Sequence, residues 1–301
     1  MKVLKSIAFR SRGITGANLS DRIPPQLYFV ASAIFHYLGP SFAVLLFSRV
    51  SVDGVAWLRI ASAALVFAIW RRPWRVFRKN SRHVNHLIIT LGITFALMNY
   101  SFYYAIHSLP LGTVAAIEFL GPVILALIGT KTLRNFIALI FTVTGVWFLT
   151  DVRIHGEPEG FLWAFASAMF FTVYIIIAHR LAVADSETKP VDRLGAAMLV
   201  AAVIITPLGI RGAIPAFTDT VALLAGIGVG LSSSVIPYVL DQLAMTKLSR
   251  ATYALFVALL PATAVIIGIV VLGQIPTWIE AVAVVVIIGG VLIVQDKKAV
   301  K

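Results

Sequence analysis

A chain of 301 residues that is 59% hydrophobic and only 13% charged has too much apolar surface for one water-soluble core. Soluble domains hold about 45–50% apolar and about 25% charged residues. Its net charge of +12 would suit nucleic acid in a soluble protein, but here the basic residues fall between apolar runs and read as topology signals. With no cysteine in the chain, disulfides, thiol catalysis and cysteine-ligated metals are excluded.

Residues 1–25 carry Lys2, Lys5, Arg10, Arg12 and Arg22 without a long apolar stretch. A cleaved signal peptide needs an unbroken apolar core, so the segment reads as a basic cytosolic tail. Apolar runs then follow at 26–47, 52–70, 87–107, 110–130, 134–151, 158–181, 192–213, 218–243, 252–272 and 277–294. Each is long enough to cross a hydrocarbon layer of about 30 Å. The predicted fold class is therefore all-α integral membrane, with ten transmembrane helices. The expected organisation is a first set of five over 26–151, a second over 158–294, and a short cytosolic tail at 295–301.

The distribution of Lys and Arg supports this parse. Of the 25 basic residues, Arg49, Arg153 and Arg211 fall on one side and Arg59 lies inside the second span. All the others fall in the tails and alternate loops of the opposite side. Such loop-by-loop alternation places both termini in the cytosol. Ten spans also invite a duplication of five. Gly112-Thr113-Val114-Ala115 with Gly121-Pro122 in the fourth span parallels Ala251-Thr252-Tyr253-Ala254 with Leu260-Pro261 in the ninth, and Tyr100 aligns with Tyr238 one residue out of step. An odd number of spans per repeat inverts the second half, a plan whose solute site lies near midplane between the halves.

Polar groups inside spans are costly, about 2.5–3.5 kcal/mol per charge on insertion scales, and mark sites or structural pairs. Glu118 stands four residues before Pro122, whose missing N–H frees the carbonyl of residue 118 and bends the helix. It reads as a proton-titrating or amine-binding carboxylate, or as half of an ion pair with Arg59. Arg59 itself could bind a substrate carboxylate, snorkel or fix the bundle; its structural use is the favoured expectation. His36, four residues before Pro40, is either a packed core histidine or a cavity residue. Asn99, Tyr103 and His107 share one helical face, with Tyr100 and Tyr104 as an adjacent stripe. Tyr104 and His107 also fit an interfacial belt. Ser234, Tyr238 and Asp241 share a face around Pro237, and Asp241 is expected to pair with Lys247 or Arg250. Gly226, Gly228 and Gly230 are expected to allow close helix packing. Walker A, Rossmann and His-Glu-x-x-His sequences are absent, and the scattered carboxylates and histidines offer neither a metal site nor a catalytic pair. No cofactor and no enzyme activity are expected.

The segments Met98-Asn99-Tyr100-Ser101-Phe102-Tyr103-Tyr104, Leu109-Pro110-Leu111-Gly112 and Glu118-Phe119-Leu120-Gly121-Pro122 resemble the threonine/homoserine exporters of the EamA branch of the drug/metabolite transporter superfamily. Trp57-Leu58-Arg59-Ile60, Arg72-Pro73-Trp74-Arg75 and Ile236-Pro237-Tyr238 fit the same family, and the resemblance runs from about residue 28 to 295. It implies two inverted five-helix repeats around a central cavity in a bacterial inner membrane. It also implies export of small polar metabolites, amino acids such as threonine or homoserine, by proton exchange. Asn99, Tyr100, Tyr103 and Glu118 fall near that cavity by position, and His36 and Tyr238 join them as candidate substrate-binding residues. Gln274 stands where the superfamily commonly has glutamate, a departure expected to affect only a loop. The alternatives are a carrier of another solute (a nucleobase, sugar conjugate or cationic drug), a membrane-embedded lipid enzyme, or a structural subunit. The partners implied are a small-molecule substrate, protons and membrane lipid, with no nucleic acid.

Overall fold

The computed structural model describes residues 25–129, 132–153, 157–184, 186–247 and 260–293. Both expected tails and the Ala251–Ala254 segment lie outside the described residues. The helices are α1 (Pro25–Leu46), α2 (Val52–Arg71), α3 (Arg82–Ser108), α4 (Leu111–Glu118), α5 (Leu120–Gly129), α6 (Leu133–Arg153), α7 (Pro158–Val183), α8 (Pro190–Ala213), α9 (Thr220–Gly230), α10 (Ile236–Lys247), α11 (Leu260–Leu272) and α12 (Trp278–Ile293). A wide π turn, Leu231–Val235, joins α9 to α10. Among the described residues five helical stretches are long and apolar enough to cross a membrane, and five shorter apolar helices accompany them. The α4–α5 pair and the α9–α10 pair each fall on a single apolar run of the sequence.

Local chemistry sets these boundaries. Ser81 caps α3 by accepting from the Val84 N–H at 3.3 Å, and the helix stops just before Pro110, which disfavours helical backbone in the residue ahead of it. Pro158 and Pro190 open α7 and α8, where a missing N–H costs nothing. Asp219 caps α9 through the Val221 and Ala222 N–H groups. Thr277 and Glu280 form a reciprocal capping box at the start of α12. Arg72 takes a left-handed conformation (φ 49°) that ends α2 and returns its N–H to the Ala68 carbonyl.

The two halves interleave. The most extensive packings are α3 on α7, α2 on α8 and α6 on α12, followed by α3 on α8 and α1 on α10. Each joins a helix of residues 25–153 to one of residues 158–293. Large apolar side chains such as Leu65, Ile69, Trp147, Val270 and Val285 point outward, exposed, as the lipid-facing surface of a membrane bundle requires.

Candidate functional site

The centre of the bundle is built around Arg59 of α2, which is 5% exposed. Pro237 lacks the N–H that would otherwise bond the Ser233 carbonyl. That carbonyl, in the π turn, accepts instead from Arg59 Nη2 at 3.0 Å. Arg59 Nε donates to Ser234 Oγ at 3.0 Å. The guanidinium lies over the Tyr103 ring, 5.4 Å from its centroid. Gly230 makes this approach possible, because a Cβ there would stand 2.6 Å from the Arg59 carbonyl and collide with Ser62 Oγ.

Glu118 ends α4 at the helix break that Pro122 predicts. The Phe119 N–H turns back to the Ala116 carbonyl in a tighter turn at 3.2 Å before α5 begins. Ser167 of α7 donates to Glu118 Oε1 at 2.5 Å. Glu118 nevertheless keeps partial exposure, and Arg59, Tyr37 and Tyr238 lie within its electrostatic reach. Gly121 lets α5 approach α7 there, since a Cβ would meet the Thr172 hydroxyl.

A third group joins α1 to α10. Ser32 donates to Asp241 Oδ1 at 2.6 Å and reaches the Pro237 carbonyl at 3.1 Å. His36, one turn further along α1, packs edge-on against Tyr238 with ring centroids 5.3 Å apart. Tyr238 in turn meets Phe95 at 5.3 Å and Tyr174 at 6.4 Å. Beyond Tyr103, Phe47 packs edge-on against both Tyr103 (6.2 Å) and His107 (5.5 Å). His107 belongs to the wall of a cavity of about 330 Å³ at the α3–α4 turn, which Gln274 and Glu280 also line.

Arg59, Tyr103, Ser234, Tyr238 and His36 are thus brought together, with Glu118 within electrostatic reach of Arg59 and Tyr238. Two further expected site residues make contacts of their own. Asn99 is buried but donates to the Phe95 carbonyl of its own helix at 2.8 Å. Tyr100 joins a ring cluster with Tyr104 (4.8 Å) and Trp163 (5.9 Å). Trp163 is four residues before Ser167, so this cluster sits about one helical turn along α7 from the Glu118 contact.

Several structural expectations are corrected. Arg59 is not paired with Glu118, because its hydrogen bonds run to the serines of the π turn while Glu118 is held by Ser167. The ion pairs among the described residues are Arg49–Asp219 at 2.8 Å and Arg71–Asp192 at 2.6 Å. Asp241 is held by Ser32, and the side chains of Lys247 and Arg250, its expected partners, lie outside the described residues. Gln274 does more than shape a loop. Its Oε1 accepts from the Leu111 N–H at 3.1 Å and so caps α4. Of the three glycines in α9, Gly228 has nothing within 4 Å of a built Cβ and does not serve packing.

Ser32, Ser167, Tyr37 and Tyr174 were not picked out from the sequence. Ser32 has a signal, its i, i+4 relation to His36. Ser167 has none, since it is one of several small residues in an apolar helix. Outside the spans, Asp219 lies below the usual carboxylate range, chiefly because Arg49 donates to it and also because the Ala222 N–H does.

An all-helical membrane bundle that gathers buried charged and aromatic groups where its two halves meet has the make-up of a solute transporter. The chain belongs to the EamA-like transporter family. The model of that family matches residues 158–295. The chain is 31% identical over 271 residues to the threonine/homoserine exporter RhtA of Salmonella typhimurium, covering 87% of this chain and 90% of the relative. It is equally identical over 272 residues to the RhtA of Escherichia coli K12, with the same coverage. A protein of known crystal structure superposes on 90% of this chain and 96% of its own length, with a TM-score of 0.57 at 17% identity. That likeness concerns the fold alone. The protein is therefore a multi-pass membrane transporter of a small-molecule substrate, and not an enzyme.

Proposed function

We propose that the protein exports small amino acids of the threonine or homoserine kind by proton exchange, from a bacterial inner membrane with both termini in the cytosol. Its ten spans work as two inverted five-helix repeats. The packing of the described helices supports this arrangement. When spans of the first half are exchanged with their counterparts five later, the principal contacts map onto one another. The α2–α8, α4–α11 and α6–α12 contacts map onto themselves, α3–α7 maps onto α1 with α9 and α10, and α3–α8 maps onto α2–α9. Such an exchange is expected of two repeats related by a pseudo-twofold axis, which supports the reading.

The observation that carries the functional reading is Glu118. It is a carboxylate at a helix break, held by a single side-chain hydroxyl and partly exposed inside a membrane bundle. A carboxylate there binds either a proton or the ammonium group of a substrate. Competition between the two couples their fluxes, because the carrier that releases one ligand returns with the other bound in its place. Tyr238 lies within electrostatic reach of Glu118 with His36 packed against its ring, and the α4–α5 break gives the helix a point at which to bend.

The test is transport of labelled L-threonine in proteoliposomes under an imposed pH gradient. The native protein is expected to accumulate threonine against its gradient when protons flow the other way. Glu118→Gln is expected to abolish the response to the pH gradient. Full pH-driven accumulation by Glu118→Gln would overturn the coupling role.

A further inference from the structure

We propose that Arg59 is the receptor for the substrate's carboxylate, so that the site selects solutes carrying a free α-carboxylate beside an ammonium group. This rests on the amino-acid reading above and narrows it to a rule of recognition.

Arg59 is a buried cation with no carboxylate against it among the described residues. A buried arginine is ordinarily paired, because an unpaired charge out of water costs several kcal/mol. Glu118 influences Arg59 electrostatically but stands too far away to pair. Asp241 is engaged by Ser32. The guanidinium has five N–H donors, and the π turn takes two of them, one from Nε and one from Nη2. Among the described residues no oxygen accepts from Nη1. The serines therefore fix the plane of the guanidinium and leave its terminal Nη1–Nη2 edge, with two parallel N–H groups, for a bidentate acceptor.

A second observation points to the same place. The Tyr103 hydroxyl is fully buried and makes no well-formed hydrogen bond, although it lies alongside Arg59 and Ser233. A buried hydroxyl left without a well-aligned partner is costly, and a carboxylate on Arg59 would supply its acceptor. On the other side, Glu118 offers a partly exposed carboxylate within electrostatic reach of Arg59 to attract an ammonium group. An α-amino acid carries both charges two bonds from each other, so one molecule bridges the gap and neutralises both residues. An amino alcohol or a cationic drug would satisfy Glu118 and leave Arg59 unpaired. A simple carboxylic acid would do the reverse.

The experiment is competition against labelled L-threonine uptake in proteoliposomes. The competitors are unlabelled L-threonine, L-threoninol (a hydroxymethyl group replaces the carboxylate) and 3-hydroxybutyrate (the amine is missing). The native protein is expected to prefer threonine to threoninol by about tenfold to hundredfold, the worth of a charge-assisted hydrogen-bonded pair. Arg59→Gln is expected to weaken threonine and leave threoninol unchanged, so that the preference disappears, with Arg59→Lys restoring part of it. If Arg59→Gln does not yield folded protein, Tyr103→Phe decides, with an expected severalfold loss for threonine and none for threoninol. Equal competition by threoninol and threonine in the native protein would overturn the carboxylate role while leaving amino-acid export standing. So would a native preference retained by Arg59→Gln or Tyr103→Phe. A native protein that moves no amino acid would overturn both readings.

Discussion

Two glycines two residues apart in α9 should respond oppositely to the same added methyl group. At Gly228 a built Cβ meets nothing within 4 Å, whereas at Gly230 it collides with Ser62 Oγ and stands 2.6 Å from the Arg59 carbonyl. Alanine improves helix propensity by about 0.8–1.0 kcal/mol over glycine wherever it fits, so Gly228→Ala should be neutral or stabilising. Gly230→Ala gains the same propensity but must also push α2 away from the π turn. Overpacking typically costs about 1–3 kcal/mol, and here one of the two obstacles is backbone that cannot rotate aside. Comparing the two variants cancels propensity and isolates the packing penalty, which should lower the melting midpoint of Gly230→Ala by several degrees relative to Gly228→Ala. Ser62→Ala in the Gly230→Ala background should recover only part of the loss, since the Arg59 carbonyl remains. The assay is thermal unfolding of the detergent-purified protein, followed by threonine uptake in liposomes. Equal midpoints for the two alanine variants, or a higher one for Gly230→Ala, would refute the claim that α2 and α9 meet backbone to backbone beside Arg59.

Gln274→Ala should lower the melting midpoint by the worth of one helix-capping hydrogen bond, about 0.5–1.5 kcal/mol, because it leaves the Leu111 N–H without its acceptor. Gln274→Glu keeps an acceptor oxygen and adds a negative charge at a helix N-terminus, so it should match or exceed the native midpoint; a loss as large as that of alanine would show that the cap is unimportant. The Asp219 carboxylate is held below its ordinary value by Arg49, so its contribution to stability is full above the unfolded value of about 3.9 and fades as pH falls through the lower folded value. Asp219→Asn should therefore melt below the native protein at neutral pH, with the gap closing in strong acid. A gap of constant size across that range would refute the linkage.

The all-helical, apolar character of the chain was legible because hydrophobic length is a local property that a single sequence displays in full. Pro122 likewise announced the break beside Glu118, and Pro237 signalled an interruption whose freed carbonyl Arg59 now occupies. What the sequence did not reveal was partnership. Arg59 and Glu118 were two charges in need of compensation, and pairing them was the alternative to a functional role for Glu118. The structure gives each a separate hydroxyl, from Ser234 and Ser167, because the helices approach in a register that no one-dimensional pattern records. Asn99 shows another side of this. Its polarity and depth marked it for the solute, yet its amide is turned to the Phe95 carbonyl one turn back, an alternative open to any asparagine within a helix. Tyr100 shares a helix with Tyr103 but faces Trp163, since adjacent positions diverge by about 100° around the axis.

The interleaving of the two halves bears on how the molecule is made. Arg59 and Glu118 belong to the first half, and their hydrogen-bonding partners Ser233, Ser234 and Ser167 all belong to the second. On the proposed ten-span topology, a nascent chain that has inserted only its first five spans holds a cation and an acid in the membrane with neither partner yet synthesised, at about 2.5–3.5 kcal/mol for each charge. The faces that will meet α7, α8 and α12 are open to lipid at that stage. The first half is thus a waiting intermediate, committed in topology by its basic loops but unfinished inside until the ribosome delivers the helices that close it.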